Sequence, residues 1–243
     1  MAFDIETIFS DLKEYFDEAN YVSEMGEKYP EVVAILEDLV DRFPDLAFLA
    51  STLIRTHVAL IKCFDQQGTV FLCGNGGSHA DAVHIVGELL KSFERDRTMS
   101  DEQKKTFEGL PDADALTKNL ECGLRGYALG ASAPLATAIH NDNEVRDISY
   151  AQELFAMAKP GDVFIGISTS GNARNVNLAL QVAEALGLCT IGMSGEKGGT
   201  LCETAKIAIK APATVTKMVQ ELHLPIYHAI CAMIEAHYFP KMR

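Results

Sequence analysis

No two of the six cysteines (Cys63, Cys73, Cys122, Cys189, Cys202, Cys231) stand at CxxC spacing. They read as reduced, mostly buried thiols rather than a disulfide framework. Basic residues are scarce: Lys and Arg number 21 against 34 Asp and Glu, a net charge of -13. That balance argues against a nucleic-acid partner, which needs a basic face. It does not exclude a small phosphate, which backbone N–H groups and a few local donors can hold. No secretory signal is expected, since the opening MAFDIETIFSDLKEY is acidic where such a signal is basic. The longest apolar stretch, 46–61, carries Arg55 and His57, so it is not read as a membrane span. A cytoplasmic location is the expectation. No tandem repeat or low-complexity tract is present. The 48% hydrophobic content and 243 residues suit one globular α/β domain with a helical extension.

Residues 1–67 are helical in pattern. Ile5, Ile8, Phe9, Leu12 and Phe16 form one stripe; Val32, Val33, Ile35, Leu36, Leu39 and Val40 form a second after Pro30. A third helix is expected to open at Pro44 and run through Leu53 and Ile61. The texture then changes to short apolar runs at 70–73, 127–129, 163–167, 189–193 and 207–209, most of them separated by helical patterns. Such alternation predicts βαβ units and a five-stranded parallel sheet with helices on both faces. A last helix is expected over about 214–239. The charge-rich segment 94–125 stands apart, with a short helix expected near Asp114. It reads as a surface insertion, a lid or a subunit-contact arm. The organisation is therefore a helical extension, 1–67, and an α/β unit, 68–243, with the insertion at 94–125.

Two loops carry the chemistry. Gly74, Asn75, Gly76, Gly77 and Ser78 follow the first apolar run and precede a helix. Glycines there let the backbone approach a ligand, and a helix N-terminus offers unpaired N–H donors. The run is neither a full dinucleotide fingerprint nor a Walker loop, so no nucleotide cofactor is expected. A second loop, Ser168, Thr169, Ser170 and Gly171, sits in the same strand-to-helix context, with a helix expected to open near Ala173. Two such loops at the carboxyl ends of parallel strands suit a phosphate monoester in the crevice of an open sheet. Farther along, His84 and Glu88 are four apart and share one helix face. Gln220 and His228 fall on the last helix, about 80° apart on a helical wheel, with Pro225 between them. Singly, Ser78 could be only an N-cap, His84 and Glu88 an ordinary polar pair, and His228 a core histidine.

The stretches GNGGSHADAVHIVGEL and GISTSGNARNV resemble the two signatures of the SIS (sugar isomerase) domain family, over about 69–97 and 127–239, and within it the phosphoheptose isomerases. The resemblance implies a flavodoxin-like three-layer sandwich that isomerises a sugar phosphate between ketose and aldose. It assigns Glu88 as base and His228 as acid. Substrate binding is implied for Asn75, Gly76, Gly77, Ser78, Asp142, Ser168, Thr169, Ser170 and Gln220. A zinc ion held by His84, Glu88, Gln220 and His228, and a homotetramer, are implied as well. Asp142 has a bland alternative as a turn residue. The chain departs from the pattern at three positions: Ala173 replaces a serine, Lys217 an acidic residue, and Gly87 an acidic neighbour of Glu88. With the longer insertion, these leave other heptose or hexose phosphates open as substrates. A non-catalytic SIS module that senses a sugar phosphate or binds a protein is the alternative reading.

Overall fold

The computed structural model describes residues 29–239; the stripe at Ile5–Phe16 lies outside them. Five parallel strands run β1 (Val70–Gly74), β2 (Gly126–Ala128), β3 (Val163–Ile167), β4 (Cys189–Gly195) and β5 (Ile207–Ala211). Their order across the sheet is β2-β1-β3-β4-β5. All five expected strands are present. The central ones, β1 and β3, are buried along their whole length, as strands covered on both faces must be. Chain direction across the sheet reverses between β1 and β3, which is where ligands bind in open sheets of this order.

Alternate residues face opposite layers. Val70, Leu72, Val163, Ile165 and Ile191 join one core with α1 (Pro30–Arg42), α2 (Ala50–Asp65), α3 (Gly77–Leu90) and the long C-terminal helix. Phe71, Cys73 and Phe164 point the other way. They meet Tyr150 and Leu154 of a helix at Ser149–Met157, and Val176, Ala179 and Leu180 of one at Arg174–Ala185. Between these elements lie α4 (Asp101–Lys105), α5 (Ala113–Asn119) and α6 (Ala133–Asp142), which make the Ser149–Met157 helix α7 and the Arg174–Ala185 helix α8. A short α9 (Gly199–Thr204) and α10 (Thr216–Tyr238) complete the chain. The described helices of the N-terminal segment, α1 and α2, thus share the core of the sheet.

The helix expected from Pro44 begins instead as a 3₁₀ stretch, Pro44–Leu49, and becomes α-helical at Ala50. This combined stretch is long and apolar enough to cross a membrane by length and composition, yet it is 67% buried inside the fold. A core helix accounts for it. The helix α10 runs through Pro225 without a break. The insertion closes on itself: Thr98 and Glu121 form an antiparallel bridge, and Cys122 N–H returns to Arg97 O at 2.8 Å. Its helices α4 and α5 bury no residue.

Within α2, His57 is wholly buried, and neither ring nitrogen has a hydrogen-bond partner. Burial, with a smaller push from His237, holds its pKa down to about 3. An unfolded histidine titrates near 6.5. Because the folded value is depressed, the unfolded chain binds the extra proton. The stability His57 contributes is complete above about pH 6.5 and drains away as pH falls towards 3. By pH 5 the loss from this one group is about 2 kcal/mol. Urea unfolding at pH 7.5 and pH 5 should therefore show a smaller drop for His57→Leu than for the parent. Equal drops would remove His57 from the acid response.

Candidate active site

The two loops begin side by side, because Gly74 at the end of β1 is in register with Ile167 at the end of β3. Neither helix that follows, α3 or α8, has a side-chain cap on its N-terminus. The two N-termini open side by side; in α3 the N–H groups of Ser78, His79 and Ala80 donate to the carbonyls of Asn75 and Gly76, and in α8 Val176 N–H donates to Asn175 Oδ1. Ser78 lies inside α3, whose N-cap is Gly76, so it is not the cap residue. Its hydroxyl-bearing side chain is buried, as is that of Ser168, while Ser170 is exposed. Gly171 has φ +69° and packs so tightly on Gly198 that a side chain there would overlap its carbonyl. The second loop needs glycine at that turn.

The two helices α3 and α10 run alongside in the same direction. Gln220 lies against Gly77, where a methyl group would overlap its carboxamide. Seven residues on, His84 meets Tyr227: Tyr227 Oη is 2.9 Å from Nδ1 of His84, and Glu88 Oε1 is 3.1 Å from Nε2. The ring of His228 stands 5.2 Å from that of His84, close to perpendicular, and 5.4 Å from Phe93. Thus His84, Glu88 and His228 come together at one level. Gln220 sits with the first loop, eight residues and about 12 Å of helix rise before His228. Asp142 ends α6 in an exposed position, with its carboxylate accepting from the amide of Asn141 at 2.8 Å.

Burial and the neighbouring His84 hold the pKa of His228 below the usual histidine range, against a pull from Glu88. It is neutral at neutral pH and can accept a proton. Its Nε2 is buried with no hydrogen-bond partner. A cavity of about 650 Å³, walled by residues such as Arg42, Phe43 and Phe93, borders the same imidazole. One turn before His84, burial pushes Asp81 up to about 6, partly offset by His84. Among the described residues no three His, Cys, Asp or Glu side chains converge on a metal position. The four-residue zinc set is thus not preassembled. Its donor types nevertheless fit zinc: two imidazoles, one with a buried orphan nitrogen, beside a carboxylate.

Sequence reading passed over Asp81, Tyr227, Asn175 and the pair Arg97 and Glu235. Asp81 had a local signal, since 81, 84 and 88 share one helix face. The others depend on contacts across 100 residues or more, which no local spacing reveals.

The SIS domain profile matches residues 139–237, covering the second loop, β3 to β5 and nearly all of α10. Phosphoheptose isomerase 2 of Campylobacter jejuni is 36% identical over 191 residues, 78% of this chain and 83% of the relative. A phosphoheptose isomerase of Geotalea daltonii is 37% identical over 174 residues, covering 72% and 78%. The structure of phosphoheptose isomerase GmhA from Neisseria gonorrhoeae superposes with a TM-score of 0.61 at 26% identity, over 87% of this chain and 98% of that one. The chain belongs to the phosphoheptose isomerase family.

Proposed function

We propose that this protein interconverts a ketose phosphate and its aldose, with sedoheptulose 7-phosphate and D-glycero-D-manno-heptose 7-phosphate as the pair. The observation that carries the reading is the meeting of Glu88, His84 and His228 on two helices whose earlier turns reach the anion loops. The loops, with Ser78, Ser168, Thr169 and Ser170, take the phosphate; Asn75, Gly76, Gly77, Asp142 and Gln220 take the sugar chain. Glu88 removes a proton from C1 of the ketose. The C–H electrons form the C1–C2 double bond, and the C2 carbonyl oxygen gains a proton, giving an enediol. Neutral His228 takes the proton from the C1 oxygen and supplies the one needed at the C2 oxygen. Glu88 then returns a proton to C2, leaving the aldose.

A zinc ion on His84, Glu88 and His228, with Gln220 as a further donor, would polarise the carbonyl oxygen. The orphan nitrogen of His228 supports that reading. Residues 68–243 are taken as the phosphosugar-binding unit, with 94–125 as its insertion. Val83 and Leu90, exposed on α3 around Gly87, support packing against further copies in a homotetramer. Six unpaired cysteines support a cytoplasmic location.

The test is a panel of five- to seven-carbon ketose and aldose phosphates, followed with and without a chelator. Conversion should be fastest for the seven-carbon pair, fall on chelation and recover with zinc. No conversion of any member would overturn the isomerase reading, and chelator-resistant turnover would remove the metal.

A further inference from the structure

The two anion loops are joined by a reciprocal amide pair. Asn75 Nδ2 donates to Asn175 Oδ1 at 2.8 Å, and Asn175 Nδ2 donates to Asn75 Oδ1 at 2.8 Å. Asn75 belongs to the first loop; Asn175 is the second residue of α8, just after the second loop. An amide's two ends have nearly the same shape, so its direction is set only by a partner that cannot reverse its own role. The backbone N–H of Val176 is such a partner. It only donates, and it lies 3.0 Å from Asn175 Oδ1. That contact fixes which end of Asn175 is oxygen. Asn175 Nδ2 must then face Asn75, and Asn75 must present Oδ1 to it. The base of the first loop is also held by Tyr150, whose Oη donates to Gly74 O at 2.6 Å and lies 3.5 Å from Asn75 Oδ1.

Each amide uses only one of its two N–H groups in the pair. Asn75 therefore keeps a second N–H whose direction Asn175 has already set. We propose that Asn175 is a positioning residue for sugar-phosphate binding. It orients the Asn75 amide for the sugar chain and holds the first loop against the helix that opens behind the second. This rests on the sugar-phosphate reading of the site, and Asn175 acts only through Asn75.

Acting only through Asn75 has a distinctive signature, tested by a double-mutant cycle on the full-length protein: Asn75→Ala, Asn175→Ala and both together. Dissociation constants for sedoheptulose 7-phosphate come from calorimetry, and KM and kcat from turnover. Each single variant should weaken binding by about three- to tenfold, the worth of one or two neutral hydrogen bonds. KM should rise while kcat stays within about twofold, and the double variant should be no worse than Asn75→Ala. Asn175→Ser guards against a folding defect. Its hydroxyl can still accept from Val176 N–H but is too short to pair with Asn75, so it should bind as weakly as Asn175→Ala with an unchanged melting temperature. Multiplied losses in the double variant, or parental binding by Asn175→Ala and Asn175→Ser, would overturn the proposal. A parent protein that binds the sugar phosphate without turning it over would fail the isomerase reading alone, and the binding cycle would still decide Asn175.

Discussion

Replacing Glu235 with leucine is expected to cost about 5 kcal/mol or more, which approaches the whole stability of an ordinary domain. Glu235 and Arg97 are 0% and 1% exposed, with Arg97 Nε donating to Glu235 Oε1 at 2.7 Å. The same carboxylate accepts the backbone N–H groups of Phe93, Glu94 and Arg95. Leucine would leave a buried guanidinium without its counter-charge and three amide donors without an acceptor. Breaking a buried pair from one side costs about 3–5 kcal/mol, and each orphaned donor adds to that. Removing Arg97 should be milder, because Glu235 would keep its three amide donors. The double variant Arg97→Met with Glu235→Leu should be more stable than Glu235→Leu alone, since it no longer strands the buried cation. Urea unfolding of the three proteins checks the order. A double variant as unstable as Glu235→Leu would show that the charge is not the source of the loss.

This pair also bears on chemistry. Arg97 Nη1 and Nη2 donate to the carbonyls of Leu89 and Glu88, each at 2.8 Å. These are among the last acceptors of α3, the helix that carries His84 and Glu88. A favourable charge at a helix C-terminus adds to the hydrogen bonds. Because Glu235 lies on α10, the ion pair ties the two helices together one to two turns beyond the point where His84 and His228 meet.

The second large effect is on turnover. Glu88→Gln is expected to lower kcat by about three orders of magnitude, within the range that one general base supplies. Glutamine has nearly the same shape, and its carboxamide can still face Nε2 of His84. It cannot take a proton from carbon. The loops that hold the phosphate are untouched, so the dissociation constant for the sugar phosphate should stay within about twofold. A loss shared equally by binding and turnover would mean that Glu88 builds the site rather than reacting in it.

Much of this was legible in the sequence, for physical reasons that differ by element. The strands could be read because a parallel strand covered on both faces must be apolar throughout, as 163–167 is. The loops could be read because positive φ and close backbone approach demand glycine, as at Gly171. His84 and Glu88 could be paired because four residues make about one helical turn. The position of Gln220 could not be read in the same way. A helical wheel gives its angle relative to His228 but not which turn of α3 each residue meets. That is decided by how α3 and α10 lie together, and Gly77, by making room for the carboxamide, is part of the answer. Asn175 was hidden because its meaning lies wholly in Asn75, 100 positions earlier. Arg97 stands in the charge-rich segment 94–125, and nothing local links it to Glu235, 138 positions away.

The most direct measurement follows sedoheptulose 7-phosphate by proton NMR in deuterium oxide, with the parent protein and Glu88→Gln side by side. A proton carried by Glu88 exchanges with solvent. The parent should therefore give a new aldose anomeric signal and deuterium at C2 of the product, while Glu88→Gln gives neither though it still binds. Conversion at the parental rate by Glu88→Gln, or a parent that neither converts nor exchanges the sugar phosphate, would contradict the account.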